Sequence, residues 1–226
     1  MIQFESGGEM ANGYLAIPPS GIGPGVLLLQ EWWGLTEHIT SVADRLAAAG
    51  FVVLAPDLYR GESASHPDDA KRLLMAMDMQ QAASMLRAGA AYLLAHAAVA
   101  PKRVAAVGFC LGGQLTLYAA TAHPDVIDAV VDFYGIFSPR IPVDLSALRA
   151  PVLAHFGTRD GSISVQQVEG LLAGITASGA TCEVHWYDAG HAFFNDGRPT
   201  AYDDRAAALA WERTIEFLTR TVGARG

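Results

Sequence analysis

The chain has 226 residues, of which 51% are hydrophobic and 17% charged, and its formal net charge at pH 7 is -8. This apolar content argues against a disordered chain, and the length suits one α/β domain over residues 1–226. No basic run is present, so a nucleic-acid partner is not expected. The longest apolar runs have the length of strands, so no membrane partner is expected.

The N-terminal segment and the cysteine content predict a cytoplasmic protein. Residues 1–8 contain no basic segment followed by an apolar stretch, so no signal peptide is predicted. The two cysteines, Cys110 and Cys182, are too few for a secreted disulfide scaffold and are expected to be free thiols. The sequence leaves open a monomer or a small homo-oligomer.

Short apolar runs alternate along the chain with longer helical patterns. Strands are predicted over 14–17, 25–30, 51–55, 103–108, 129–134, 151–156 and 182–187. Helices are predicted over 38–49, 68–75, 80–96, 111–120, 164–177 and 202–219. Several strands are apolar throughout, as in parallel sheets that are buried on both sides. The pattern therefore predicts an α/β fold with a mostly parallel central sheet and helices on both faces.

The strand predicted at 103–108 runs directly into Gly108-Phe109-Cys110-Leu111-Gly112, and a helical pattern follows. This is the nucleophile-elbow pattern of α/β-hydrolases with cysteine in the serine position. The helix N-terminus would favour a thiolate at Cys110, and the N–H of Leu111 would be free to bind an oxyanion. The alternative is a buried structural cysteine, which does not explain the two glycines. Cys182 opens a strand pattern and is interpreted as structural.

An acid and a histidine follow the elbow in the chain order of α/β-hydrolases. Asp160 lies just beyond the strand at 151–156, and His191 lies just beyond the strand at 182–187. The carboxyl ends of parallel strands meet at one edge of the sheet, where ligand sites form. We therefore predict that Cys110, His191 and Asp160 act as nucleophile, base and orienting acid.

Glu31 also follows an apolar strand, at 25–30. A carboxyl in a partly apolar pocket beside Trp32 and Trp33 would have a raised pKa and would suit acceptance of the thiol proton. The alternative is a solvated glutamate in a loop. Structural roles are expected for the other histidines, of which His38, His66, His96 and His123 fall on predicted helices or loops without partners and His155 and His185 lie within strands. No cluster at ligand spacing predicts a metal, and no cofactor is expected.

Four segments carry a resemblance to the dienelactone hydrolase family, and it spans nearly the whole chain. They are Gly108-Phe-Cys-Leu-Gly-Gly113, Leu29-Gln-Glu-Trp-Trp-Gly34, Ala55-Pro-Asp-Leu-Tyr59 and His185-Trp186 with Gly190-His191. The resemblance implies a single-domain α/β-hydrolase fold with a Cys-His-Asp triad. It also implies that Glu31 interacts with the resting thiol and that the N–H of Trp32 completes an oxyanion hole with that of Leu111.

The resemblance further implies a substrate pocket in which this chain departs from the family. Family members hold the carboxylate of the substrate with arginines, one of them four residues after the catalytic histidine. Asn195 occupies that position here. Trp33, Tyr134, Phe193 and Asn195 are the residues that we expect to contact substrate.

Two functions of different classes fit these patterns. The first is hydrolysis of small-molecule esters or lactones, as by carboxymethylenebutenolidase (dienelactone hydrolase), through an acyl intermediate on Cys110. The second is a hydrolase-fold binding or redox-sensing protein that uses Cys110 as a reactive thiol without efficient turnover. The intact order of the three triad residues favours the first.

Overall fold

The computed structural model describes residues 1–223. Within them, eight strands form one sheet in the spatial order β1-β2-β4-β3-β5-β6-β7-β8. The strands are β1 (Ile2–Ser6), β2 (Glu9–Ala16), β3 (Gly23–Leu29), β4 (Val52–Pro56), β5 (Val99–Phe109), β6 (Ala129–Phe133), β7 (Val152–Gly157) and β8 (Cys182–Tyr187). Strands β3 to β8 pair in parallel, whereas β2 pairs antiparallel with both β1 and β4.

Six α-helices flank this sheet within the described residues. They are α1 (Glu37–Ala48), α2 (Pro67–Ala76), α3 (Met79–Ala95), α4 (Leu111–Ala122), α5 (Val165–Ser178) and α6 (Asp204–Val222). The predicted mostly parallel sheet with flanking helices is confirmed. In the part of the chain described, no helix is both long enough and apolar enough to cross a membrane.

Strand β1 is absent from the predicted elements, and its omission was an error. Only Phe4 in its middle is buried, so the strand lacks the continuous apolar run that marks the central strands. The strand forms because Gly7 and Gly8 both adopt positive φ angles, of 59° and 86°, and turn the chain into an antiparallel hairpin with β2. Glycine adopts such angles without steric cost.

The parallel strands position the site because they all end at the same edge of the sheet. Within the sheet, β3, β5, β6, β7 and β8 are consecutive neighbours. The loops that follow them therefore lie side by side, as is usual for ligand sites in open α/β sheets. Four of the residues predicted to be functional lie in these loops: Glu31, Cys110, Asp160 and His191.

Candidate active site

Cys110 lies at a sharp turn between β5 and α4. Its φ is 54° and its ψ is -113°, a combination that non-glycine residues rarely adopt. A Cβ on Gly108 would collide with the carbonyl oxygen of Gly112, so the turn can close only with glycine at that position. The strained residue is held by its own N–H, which donates to the Phe133 oxygen at 2.9 Å. Strain of this kind concentrates at functional sites.

The first turn of α4 packs directly against the end of β3. A Cβ on Gly112 would collide with the carbonyl oxygens of Leu29 and Gln30. This close approach brings the start of α4 near Trp32. As the first residue of α4, Leu111 has no acceptor for its N–H inside the helix. Two backbone N–H groups, of Leu111 and Trp32, therefore lie on the two segments that meet beside Cys110.

Asp160 and His191 form a hydrogen-bonded pair. The Asp160 Oδ2 lies 2.7 Å from His191 Nδ1, and the side chains are 2% and 21% exposed, respectively. The other carboxyl oxygen, Oδ1, accepts from the N–H groups of Ser162 at 2.7 Å and Ile163 at 3.0 Å. The turn after Asp160 thus fixes the carboxylate, and the carboxylate fixes the imidazole with its Nε2 away from Asp160.

The loops that carry this pair are joined by backbone contacts. The N–H of Arg159 donates to the Ala189 oxygen at 3.0 Å, and the N–H of Thr158 donates to the Tyr187 oxygen at 2.8 Å. Gly157 permits the approach, because a Cβ there would collide with the Ala189 oxygen.

The environment of His191 raises its pKa to about 10. Burial alone would lower it, but the hydrogen bond to Asp160 and the proximity of Cys110 outweigh burial. An imidazole held as a cation beside a thiol stabilises the thiolate form of that thiol. Cys110, which is buried, thus lies between a helix N-terminus and a cationic imidazole.

Glu31 is a buried carboxyl, with 2% of its surface exposed. Burial raises its pKa. The hydrogen bond from Asn195 and the nearby side chains of His38, His191 and Arg198 lower the pKa and so oppose the effect of burial. Its Oε2 accepts from Asn195 Nδ2 at 2.5 Å, and its Oε1 has no hydrogen-bond partner among the described residues. The solvated-loop interpretation of Glu31 was therefore wrong.

Two tyrosine side chains, Tyr134 and Tyr59, lie near Cys110. The pKa of Tyr134 is raised well above its usual range, mainly by burial and also by the nearby Glu31 and Cys110. The pKa of Tyr59 is likewise raised, mainly by burial and also by Cys110. Neither hydroxyl has a well-formed hydrogen bond within residues 1–223. The Tyr134 ring lies 5.1 Å from the His191 ring. Tyr59 was not singled out as a site residue, although it lies in a loop that follows a parallel strand.

The remaining residues expected to contact substrate lie in three different environments. Phe193 is completely buried and packs between the rings of Tyr134 and Tyr187, at 5.3 and 5.0 Å. Asn195 is also buried and is engaged by Glu31. Trp33 is covered by the Arg198 guanidinium, 3.4 Å from its ring centroid, and lines a cavity of about 530 Å³.

His38 has a partner that the sequence did not reveal. Its Nδ1 lies 2.9 Å from Asp196 Oδ1, so the expectation that His38 stands without a partner was wrong. The two residues are far apart in the chain and meet only because the loop after β8 folds over the start of α1. By contrast, His155 is confirmed as a hydrogen-bonded core histidine, with Tyr187 and Thr214 at 2.8 and 3.1 Å.

Comparison with known proteins identifies the family of this chain. The sequence model of the dienelactone hydrolase family matches residues 11–222.

The chain belongs to the dienelactone hydrolase family.

Relatives from the genus Aquifex align over nearly their full length. "Protein usf" of Aquifex pyrophilus is 36% identical, with 96% of each chain covered. "Putative carboxymethylenebutenolidase" of Aquifex aeolicus is 32% identical, again with 96% of each chain covered. This dienelactone hydrolase family member is thus similar over nearly its whole length to proteins of about its own size.

Solved structures agree on the fold. The crystal structure of "Putative Dienelactone Hydrolase" from Klebsiella pneumoniae has a TM-score of 0.86 and 30% identity, with 96% of both chains covered. A dienelactone hydrolase-like promiscuous phosphotriesterase from metagenomic libraries has a TM-score of 0.86 at 24% identity, covering 98% of this chain and 97% of its own. The second likeness shows the fold alone. The protein has the α/β-hydrolase fold and is a hydrolase that acts on ester bonds.

Proposed function

We propose that this protein hydrolyses small esters or lactones through a covalent acyl intermediate on Cys110. One observation carries the proposal: the 2.7 Å pair of Asp160 and His191 stands beside a cysteine at a strained elbow. A structural cysteine would need neither the strained backbone nor the oriented imidazole. We also infer that residues 1–226 act as one domain.

In the first half-reaction, the Cys110 sulfur attacks the carbonyl carbon of the ester and the carbonyl oxygen takes up the negative charge. The N–H groups of Leu111 and Trp32 would stabilise that oxyanion, for which one donor contributes roughly 3 kcal/mol in related chemistry. Protonated His191 then donates its proton to the departing alkoxide. The products of this step are the alcohol and a thioester on Cys110.

In the second half-reaction, neutral His191 removes a proton from water as the water oxygen attacks the thioester. Collapse of the tetrahedral intermediate releases the carboxylic acid and expels the Cys110 thiolate. The proton remains on His191, so the starting ion pair is restored. Asp160 holds the imidazole in the required tautomer throughout.

Glu31 fits a role in generating the thiolate before substrate is attacked. The carboxyl is buried and one of its oxygens lacks a partner, so it can accept a proton from the resting thiol. Burial also raises its pKa toward the range where a general base is effective.

The substrate class follows from the nucleophile and from Asn195. A thiolate is a good leaving group, so an amide would expel Cys110 rather than its own amine, and activated or cyclic esters are favoured. The Asn195 amide is already engaged by Glu31 and carries no charge, so it supplies no cation for a substrate carboxylate. We therefore expect uncharged activated esters to be turned over at least as well as a carboxylate-bearing dienelactone.

The test is steady-state hydrolysis of a panel of activated esters together with a dienelactone. The enzymes are the natural protein, Cys110→Ala, and Cys182→Ala as the matched cysteine control. We expect turnover to disappear in Cys110→Ala and to persist in Cys182→Ala. Mass spectrometry after rapid quenching should find the acyl adduct on the peptide that contains Cys110.

Two results would contradict the proposal. Equal turnover by the natural protein and Cys110→Ala would exclude this nucleophile. Stoichiometric modification of Cys110 without a multiple-turnover product on any substrate would favour the redox-sensing alternative.

A further inference from the structure

A second acid–histidine pair lies beside Glu31. His38 Nδ1 and Asp196 Oδ1 are 2.9 Å apart, and their side chains are 5% and 50% exposed, respectively. The imidazole is therefore buried, whereas its carboxyl partner reaches the surface. His38 also packs edge-on against Phe109 and Phe194, with ring centroids 6.1 and 6.4 Å away.

Two adjacent residues of the loop after β8 contact Glu31 and His38. Asn195 donates to Glu31 at 2.5 Å, and the next residue, Asp196, pairs with His38. His38 and Asn195 also line the cavity of about 530 Å³. Adjacent residues of one loop thus fix the buried carboxyl and the imidazole near it.

His38 is one of the groups that influence the ionisation of Glu31. Among the groups that oppose the burial of Glu31, His38 has the largest effect in lowering the pKa of that carboxyl. His38 Nε2 is buried without a hydrogen-bond partner among the described residues. A nitrogen buried for packing alone would cost free energy that an apolar ring would avoid.

Other charged or titratable groups also face Glu31. From the loop after β8 these are His191 and Arg198, both of which lower its pKa. From the end of β6 there is Tyr134, whose own pKa is raised by Glu31 and by Cys110. His191 belongs to the proposed triad, and Arg198 has the weakest effect of the group. Asp196 and His38 remain as a pair that serves no step of the proposed mechanism.

We propose that His38, held by Asp196, is a positioning residue that keeps Glu31 ionised in its buried site, so that Glu31 can take the proton of the resting Cys110 thiol. The proposal rests on the proposed function only in taking Cys110 as the reactive thiol. His38 does not touch substrate in this scheme. The half-exposed Asp196 gives the pair access to protons from solvent.

The experiment measures the rate of Cys110 alkylation by iodoacetamide between pH 5.5 and 9.5, in a Cys182→Ala background. Alkylation needs no ester substrate, so it reports on thiol activation alone. The variants are His38→Gln, Asp196→Asn and, for rescue, Asp196→Glu. The matched controls are His123→Gln and Asp125→Asn, which alter a half-buried histidine and an exposed aspartate near Arg87. His123 follows α4 at the end opposite Cys110, about 20 Å away along the helix.

We expect His38→Gln to slow alkylation about tenfold at pH 6.5, because loss of a group that lowers the pKa of Glu31 leaves less of that carboxyl ionised. The difference should shrink as the pH rises, because Glu31 becomes more fully ionised in both proteins. Asp196→Asn should shift the profile in the same direction and Asp196→Glu should restore it. In a Glu31→Gln background, His38→Gln should add nothing.

Three outcomes would overturn the inference. One is an unchanged pH profile in His38→Gln and Asp196→Asn. Another is a uniform loss at every pH, which would indicate a merely structural role. The third is a full His38→Gln effect in the Glu31→Gln background. Ester turnover measured in parallel keeps the two proposals separate. A shifted alkylation profile without turnover supports this inference and refutes the hydrolase. Turnover with an unshifted profile supports the hydrolase and refutes this inference.

Discussion

At the scale of single residues, the elbow shows why glycine is required at particular positions. Gly112 is the second residue of α4, and its position in the helix does not by itself require glycine. A Cβ there would nevertheless overlap the backbone oxygens of Leu29 and Gln30. The constraint comes from another strand and not from the φ angle of the residue. Cys110 itself accepts a positive φ because the flanking segments fix the turn on both sides.

Gly112→Ala should destabilise the protein by about 1–3 kcal/mol, because backbone oxygens cannot move aside as a flexible side chain can. The matched control is Gly170→Ala in α5, where an added Cβ meets nothing within 4 Å. That control should be stabilising by roughly 0.5–1 kcal/mol, since alanine is the better helix former. Urea unfolding measures both, and equal effects of the two substitutions would contradict the packing argument.

The pKa of His191, raised to about 10 in the folded protein, predicts a pH dependence of stability. A histidine whose folded pKa exceeds its ordinary value contributes stability that is complete below about pH 6.5 and is lost as the pH rises toward 10. The free energy of unfolding should therefore fall across this range by up to roughly 4–5 kcal/mol from this group.

Asp160→Asn should flatten this pH dependence, because it removes the carboxylate that holds the imidazolium. The control is Asp188→Asn, which breaks the exposed pair with Arg159 and should keep the natural slope. Urea unfolding at pH 6, 8 and 10 measures the slope. The same slope in Asp160→Asn and the natural protein would contradict the assignment of the shift to this pair.

At the scale of secondary-structure elements, β6 packs against α4 with the buried carboxyl of Asp132 between them. Asp132 Oδ1 accepts from the Gly135 N–H at 2.8 Å, and Oδ2 has no partner among the described residues. A Cβ on Gly113 would collide with this carboxyl, so the close packing of α4 on β6 depends on glycine. Phe133, the next residue of the strand, points to the other face and stacks on Phe109 at 4.5 Å.

Burial raises the pKa of Asp132 to about 7, although the hydrogen bond from Gly135 opposes the shift. The folded state therefore holds this proton more tightly than the unfolded chain, and stability should fall as the pH rises from about 4 to 7. Asp132→Asn should remove that dependence and be more stable than the natural protein at pH 8 by up to roughly 4 kcal/mol.

The comparison requires urea unfolding of Asp132→Asn at pH 4.5 and pH 8, with Asp69→Asn as the control at an exposed position. At pH 4.5 the two variants and the natural protein should agree closely. An Asp132→Asn protein that is less stable than the natural one at pH 8 would show that the carboxylate has a partner that stabilises it.

At the scale of the whole molecule, the first and last helices support the loop that carries His191. The Arg45 guanidinium, from α1, lies 4.4 Å from the Trp211 ring of α6 and 5.1 Å from Phe194. Phe194 in turn stacks on Phe109 at 5.2 Å, next to the elbow cysteine. Packing of the two helices and stability of the loop that carries His191 are thus linked through one aromatic cluster.

Arg45→Met should lower the free energy of unfolding by roughly 0.5–2 kcal/mol, because methionine keeps the apolar contact but loses the cation over two rings. Arg87→Met, which breaks an exposed ion pair with Asp125, should cost less than Arg45→Met. Denaturant unfolding ranks the two, and a larger loss in Arg87→Met would contradict the role given to the cluster.

The sequence by itself determined the main architecture and the positions along the chain where the candidate site residues lie. Continuous apolar runs indicate strands that are buried on both sides. The glycines around Cys110 indicate a sharp turn between a strand and a helix. Because parallel strands end at one edge, the residues after β3, β5, β7 and β8 had to converge. Local pattern and the rules of sheet topology were sufficient for that much.

Only the tertiary structure decided which side chains act as neighbours within the site. The contacts of Asn195 with Glu31 and of Asp196 with His38 join residues more than 150 positions apart, and no local periodicity encodes them. The same holds for the burial of Phe193, which depends on the packing of Tyr134 and Tyr187 around it. Such contacts arise from how loops fold over one another. Their consequences for charge and pKa therefore follow from the folded molecule and not from its sequence pattern.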